Sequence, residues 1–240
     1  MPSRVIDELQ RRYSAQTSGG QLLGVVLHGS AVSKRQDASS DLDLLLITDQ
    51  AGPAFHALWH IDQAPCDLHI TGLPELLRTT NKDFGSNNNF ALRAFGTGLL
   101  LFQADPAIAN HQSLAMARWQ AGPVSPSTAN IYSIRQAALQ TDLFLAKCSA
   151  RAVSDPAWHE IQFARSGIFL AQLIDSYCRL NRLWSNAFWI LLHEEGPEYQ
   201  PIVAAIRRFL TPDPNKKIET LRILCSTIIS LADQRLSEKR

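Results

Sequence analysis

Apolar positions recur along this chain with two periods, and the switch from one to the other divides it. In the first half, Val5, Ile6, Leu9 and Tyr13 form one helical stripe that Thr17 to Gly20 brings to an end. Leu22 to Leu27 and Leu42 to Thr48 are short apolar runs that predict buried strands. From Phe55 to Ile61 the period is two: Phe55, Ala57, Trp59 and Ile61 point one way, and His56, Leu58, His60 and Asp62 the other. Gln63-Ala64-Pro65 predicts a turn and Asp67 to Thr71 a returning strand, together a hairpin. Pro74 suits the first turn of a helix running to about Lys82, and Asp83 to Asn89 reads as a polar loop. A helix around Phe90 to Phe95, a strand from Leu99 to Gln103 and a helix after Pro106 complete this half.

Gly122-Pro123-Val124-Ser125-Pro126-Ser127 is the clearest break, and it predicts two domains, residues 1–121 and 127–240. Beyond it, apolar residues repeat at three and four over Ile131 to Arg151, Trp158 to Leu180, Asn186 to Glu194, Tyr199 to Leu210 and Ile218 to Leu236. Pro197, Pro212 and Pro214 punctuate these runs. The expected fold is α+β, with strands and helices first and an all-α bundle of about five helices after them.

Hydrophobic residues make up 45% of the 240 positions and charged residues 19%, enough for a sizeable core and against general disorder. The net charge of +1 gives no global attraction for nucleic acid. From Arg207 onward eight lysines and arginines stand against four acids, a mild excess that reads as a solvated helical face. Cys66, Cys148, Cys178 and Cys225 lie far apart, as small buried hydrophobes do in a reducing compartment. Charges near the N-terminus interrupt any signal-peptide core, and no apolar run approaches the roughly 18 residues of a membrane span. A cytoplasmic protein with no membrane partner is expected.

The chemistry concentrates between the first two strands. The run from Leu22 ends in His28-Gly29-Ser30, and the next opens with Asp41-Leu42-Asp43. In a strand, Asp41 and Asp43 share a face while Leu42 and Leu44 pack behind them. Two adjacent carboxylates repel unless a positive charge lies between them, and a hard divalent ion such as Mg²⁺ supplies it. Gly29 provides a bend, and Ser30 offers a hydroxyl and a backbone N–H to a phosphate. Such a cradle facing a carboxylate pair is the equipment of phosphoryl or nucleotidyl transfer.

Asp67 is a third acid, on the hairpin's return strand, and pairing beside the Asp41/Asp43 strand brings it within about 4.8 Å strand spacing. Three acids suit two Mg²⁺ ions about 3.5–4 Å apart, with Mn²⁺ as an alternative. Asp41 and Asp43 would ligate both ions. Asp67 would ligate the catalytic one and accept or relay the acceptor's proton. Lys34 and Arg35, in the intervening loop, either reach phosphate oxygens or are solvated loop charges.

Gly29-Ser30, ten residues (31–40), Asp41-Leu42-Asp43 and a later Asp67 together resemble the DNA polymerase β-like nucleotidyltransferase superfamily. The resemblance is greatest to its minimal and aminoglycoside nucleotidyltransferases. It implies a short mixed sheet carrying the motif, flanked by helices, and a C-terminal helical bundle closing the substrate cleft. It also implies that Gly29 and Ser30 bind the nucleotide triphosphate, that Asp41 and Asp43 bind metal, and that Asp67 completes the site. The residue before Gly-Ser is often apolar or aromatic in that family, and here it is His28. The implied reaction moves AMP from ATP to a hydroxyl of a small aminoglycoside-like acceptor and releases pyrophosphate. The alternatives are an antitoxin-type AMPylation of protein and a non-catalytic nucleotide-binding module. Near-neutral charge argues against a nucleic-acid acceptor, and the oligomeric state is left open.

Other residues admit two readings each. His56, His60, Cys66 and His69 invite zinc, but a strand over 55–61 separates His56 from His60 by about 13 Å, whereas a helix would place them one turn apart. His69 either lines the pocket beside Asp67 or is an ordinary surface histidine. Ser39 and Ser40 cap the turn into the strand. Tyr177, Arg179, Asn181, Arg182, Trp184 and Trp189 are core aromatics with flanking arginines, or a group that stacks a base. Glu160, Asp175, Glu194 and Glu195 can greet a cationic acceptor, though the sequence does not place them.

Overall fold

The computed structural model describes residues 2–16, 20–32, 40–50, 53–61, 64–85, 89–185 and 196–239. The chain divides into two compact units, Met1–Gly122 and Pro123–Arg240.

Among the described residues the first unit holds five strands: β1 (Leu22–His28), β2 (Leu42–Thr48), β3 (Phe55–Ile61), β4 (Ala64–Gly72) and β5 (Leu99–Gln103). They form one sheet in the order β3-β4-β2-β1-β5. β2 and β4 run parallel and the other pairs antiparallel, so the sheet is mixed. The β3–β4 hairpin causes this: its return strand docks against β2, and β3 is left on the edge.

Strand alternation divides the sheet into two faces. On one, Val25, Leu44, Leu46, Leu68 and Ile70 pack with Leu9 and Tyr13 of helix α1 (Pro2–Gln16). On the other, Val26, Leu45 and Ile47 are equally buried, beneath α2 (Leu73–Gly85), α3 (Phe90–Thr97) and α4 (Ala107–Ala121). At the starts of β2 and β4 the acids Asp43 and Asp67 are only half-buried, and Asp41, just ahead of β2, is exposed.

Three local expectations need correction. α2 runs through Gly85, so Asp83 is helical and buried. Its Oδ2 accepts the backbone N–H groups of Ala91 (2.9 Å) and Leu92 (3.2 Å), satisfying the open start of α3. Pro65 belongs to β4, opposite His60, at the beginning of the strand where a missing donor is tolerated. Asp41 immediately precedes β2, which starts at Leu42.

Among its described residues the second unit has helices and no strand. Among the described residues it holds α5 (Thr128–Ala152), α6 (Ala157–Leu180), α7 (Gln200–Phe209) and α8 (Pro214–Ser237). Ser127 caps α5, accepting the Asn130 N–H at 3.2 Å, and Asp213 caps α8 ahead of Pro214. Leu145, Leu170, Ile202, Ile206, Leu221 and Ile228 lie in its core. The helix expected over 186–194 lies outside the described residues, as do Trp189, Glu194 and Glu195. The α+β class, with a mixed sheet followed by helices, is borne out. Among the described residues no helix is long and apolar enough to cross a membrane. All four cysteines are free and buried.

Candidate active site

β1 ends in a single 3₁₀ turn, Gly29–Ala31. Gly29 sits at φ +69°, in the left-handed region that glycine adopts without strain. A Cβ at this position would overlap Asp43 Oδ2 and lie 2.7 Å from Asp43 Cγ. Glycine is therefore required twice, by the backbone angle and by the carboxylate that occupies the space. The Ser30 backbone N–H donates to Asp43. The turn after β1 thus cradles the first acid of β2.

β2 and β4 set the second relationship. Asp43 and Asp67 are register partners across the parallel pair, so both carboxylates project from the same face at the same level. Asp41, just ahead of β2, completes the group. Ligand oxygens of Asp41, Asp43 and Asp67 all lie within 4.8 Å of one another. Burial, and then the charges of Asp41 and Asp67, raise the Asp43 carboxyl above the usual carboxylate range; the Ser30 N–H partly opposes them. An all-oxygen donor set under mutual repulsion fits a hard divalent cation.

Rings flank the carboxylates. His69 follows Asp67 by two along β4, and His56 is its register partner on β3. The two imidazoles share a hydrogen bond between His69 Nδ1 and His56 Nε2 at 2.9 Å. His56 Nδ1 also lies 3.7 Å from Asp67 Oδ1. On the other side, His28 faces Asp43 across the β1–β2 pair. Phe90, at the start of α3, meets His28 edge-on at 5.9 Å and His69 at 5.3 Å between ring centroids. Burial, with His69 nearby, lowers His28 to about 4. Burial and His56 lower His69. Asn89 is buried beside Phe90, and among the described residues neither its amide atoms nor His28 Nε2 has a hydrogen-bond partner.

The remaining candidates separate. Residues 55–61 form a strand, so His56 and His60 stay about 13 Å apart, and Cys66 faces the α1 core with Leu68. These residues do not converge on one ion. Lys34, Arg35 and Ser39 lie outside the described residues. Tyr177 and Trp184 are buried. Asn181 caps α6, Arg182 follows at φ +56°, and Arg179 pairs with Asp175 at 3.8 Å. Glu160 occupies the first turn of α6, where an acid complements the helix dipole. Phe90 and Asn89 gave no signal in the sequence, because their neighbours come from strands far away along the chain.

No protein-family model matches the chain, and no curated protein does. Among solved structures it is similar to a nucleotidyltransferase-like protein from Exiguobacterium sibiricum 255-15. The identity is 10% and the TM-score 0.49, over 96% of this chain and 74% of that one.

Proposed function

We propose that this chain is a metal-dependent nucleotidyltransferase of the DNA polymerase β-like superfamily, moving an NMP, AMP from ATP, to a hydroxyl of a small-molecule acceptor. The observation that carries the reading is the convergence of Asp41, Asp43 and Asp67 in front of the Gly29–Ala31 turn. Residues 1–121 form the catalytic domain and 127–240 a helical domain. Four free, buried cysteines fit a reducing compartment, the cytoplasm in this reading.

Gly29, through its backbone N–H, and Ser30, through its hydroxyl, would meet the triphosphate, while the Ser30 N–H holds Asp43. Lys34 and Arg35, which follow in the sequence, are assigned to the triphosphate oxygens on their place in the chain. Asp41 and Asp43 would hold two divalent ions, Mg²⁺ or Mn²⁺, and Asp67 one of them. Ions held by these carboxylates would supply a more acidic acceptor hydroxyl and charge neutralisation for the leaving group. The acceptor oxygen forms a bond to the α-phosphorus. The bond from that phosphorus to the α,β-bridging oxygen breaks, and pyrophosphate leaves with the electron pair. The hydroxyl proton passes to Asp67 and then to solvent. The residues' share of the rate is in-line positioning.

The test is incubation with Mg²⁺, each α-labelled NTP and a panel of hydroxylated acceptors that includes aminoglycosides. Pyrophosphate release with label on a small molecule is expected, and none in Asp41→Asn or Asp43→Asn. Wild-type turnover in either variant would sink the metal assignment. Label on a protein would move the acceptor to AMPylation.

A further inference from the structure

The sheet face that carries the acids does not continue as a polar surface. Leu58 lies directly opposite Asp67 across the β3–β4 pair and is 79% exposed. His69 follows Asp67 by two positions, with His56 opposite it. Phe90, 42% exposed, closes the row against His69. An exposed leucine and a half-exposed phenylalanine beside three carboxylates leave apolar surface in water at the one place where a substrate must lie.

The rings are also held in place. His56 and His69 meet edge-on at 4.6 Å, and His69 meets Phe90 at 5.3 Å, both within the range of favourable aromatic pairs. The hydrogen bond between the two imidazoles fixes their planes. A shelf ordered before binding costs little conformational entropy when a flat group settles on it.

Its position points to the occupant. Leu58, His56 and His69 lie on the Asp67 side of the acid group, two strands and more from the Gly29–Ala31 turn, and Phe90 spans from His69 back to His28. In the transfer proposed above, that side belongs to the acceptor. A polycationic acceptor would need acids there, and among the described residues the acids on this sheet face are the three given over to metal.

We infer that the acceptor carries a flat apolar ring next to its hydroxyl, and that Phe90, His69, His56 and Leu58 form the shelf on which the ring packs. This inference rests on the nucleotidyl-transfer reading for which ligand is the acceptor, but ring binding itself can be measured without turnover.

The probes are 2-naphthylmethanol, a flat bicyclic ring with one hydroxyl, and kanamycin, a polycationic polyol without an aromatic ring. Saturation-transfer NMR on the full chain, with and without Mg²⁺ and a non-hydrolysable ATP analogue, reads their binding. Calorimetry reads the nucleotide. The naphthyl compound is expected to bind, with its Kd raised at least fivefold in Phe90→Ala and in Leu58→Ser but within twofold in Phe90→Tyr. The affinity for the ATP analogue is expected to stay within twofold in all three. Leu58→Ser alters an exposed side chain, so it keeps the test sound should Phe90→Ala fail to fold. Naphthyl binding that is absent, or indifferent to both variants, overturns the shelf. So does a parallel loss of nucleotide affinity, which would make the row a base platform, or binding of kanamycin alone. If the wild type binds the naphthyl ring but no Mg²⁺-nucleotide, the transfer reading falls by itself.

Discussion

Asp43 and Asp67 face each other as register partners on two parallel strands, with Asp41 close enough that ligand oxygens of all three lie within 4.8 Å. Three negative charges at this spacing oppose folding until a cation joins them. Because burial and its neighbours raise Asp43, the native state holds a proton there more tightly than the unfolded chain does. Its contribution to stability therefore grows as pH falls toward the unfolded carboxylate value, and turns unfavourable as pH rises past the folded one. Asp43→Asn should raise the Tm in chelator at pH 7. The same variant should lose Mg²⁺-dependent stabilisation and at least 10³-fold in transfer. Scanning calorimetry with and without Mg²⁺ checks both, and a lower Tm in chelator would contradict the repulsion.

Gly29 should tolerate no side chain. At φ +69° a non-glycine residue costs about 1–3 kcal/mol, and the Cβ would displace the Asp43 carboxylate as well. Gly29→Ala is expected to lower stability in that range and to weaken Mg²⁺-nucleotide binding by at least tenfold. Urea unfolding and calorimetric titration read the two effects separately. Wild-type nucleotide affinity in the variant would mean that the turn does not cradle phosphate.

Much of this arrangement was legible in the sequence because it depends on strand geometry. The bounds of β2, β3 and β5 follow from apolar runs and a period of two. The meeting of Asp67 with Asp43 follows from a hairpin whose return strand pairs with its predecessor. What was hidden depends on helices and non-local packing. Asp83 looked like loop because its neighbours are polar, yet burial and two backbone N–H groups make it the hinge between α2 and α3. Phe90 looked like an ordinary helical apolar residue, since nothing local reveals that β1 and β4 bring His28 and His69 against its ring.

Asp83 ties α3, and therefore Phe90, to the end of α2. Replacing it with alanine removes the acceptor for two buried N–H groups, a loss of about 1–2 kcal/mol. Asp83→Asn keeps one acceptor oxygen and should cost less. The first unit's Tm is expected to drop by several degrees in Asp83→Ala, with binding of a ring-bearing acceptor weakened more than that of nucleotide. Equal stability in Asp83→Ala and wild type would show that the cap is dispensable.

His28 occupies the position before Gly29 with its Nε2 buried and, among the described residues, without a hydrogen-bond partner. Burial disfavours its charged form and lowers it to about 4. The unfolded chain, protonating near 6.5, therefore takes up the proton first. Stability present above pH 6.5 is lost as pH falls from about 6.5 to about 4, by up to about 3 kcal/mol. His28→Phe keeps a ring of similar shape against Phe90 and removes both the titration and the unpaired nitrogen. The variant should be slightly more stable at pH 7.5, and its advantage should widen steadily between pH 6.5 and 4. Urea denaturation of both proteins across that window decides it, since a constant difference would mean that His28 does not titrate on unfolding.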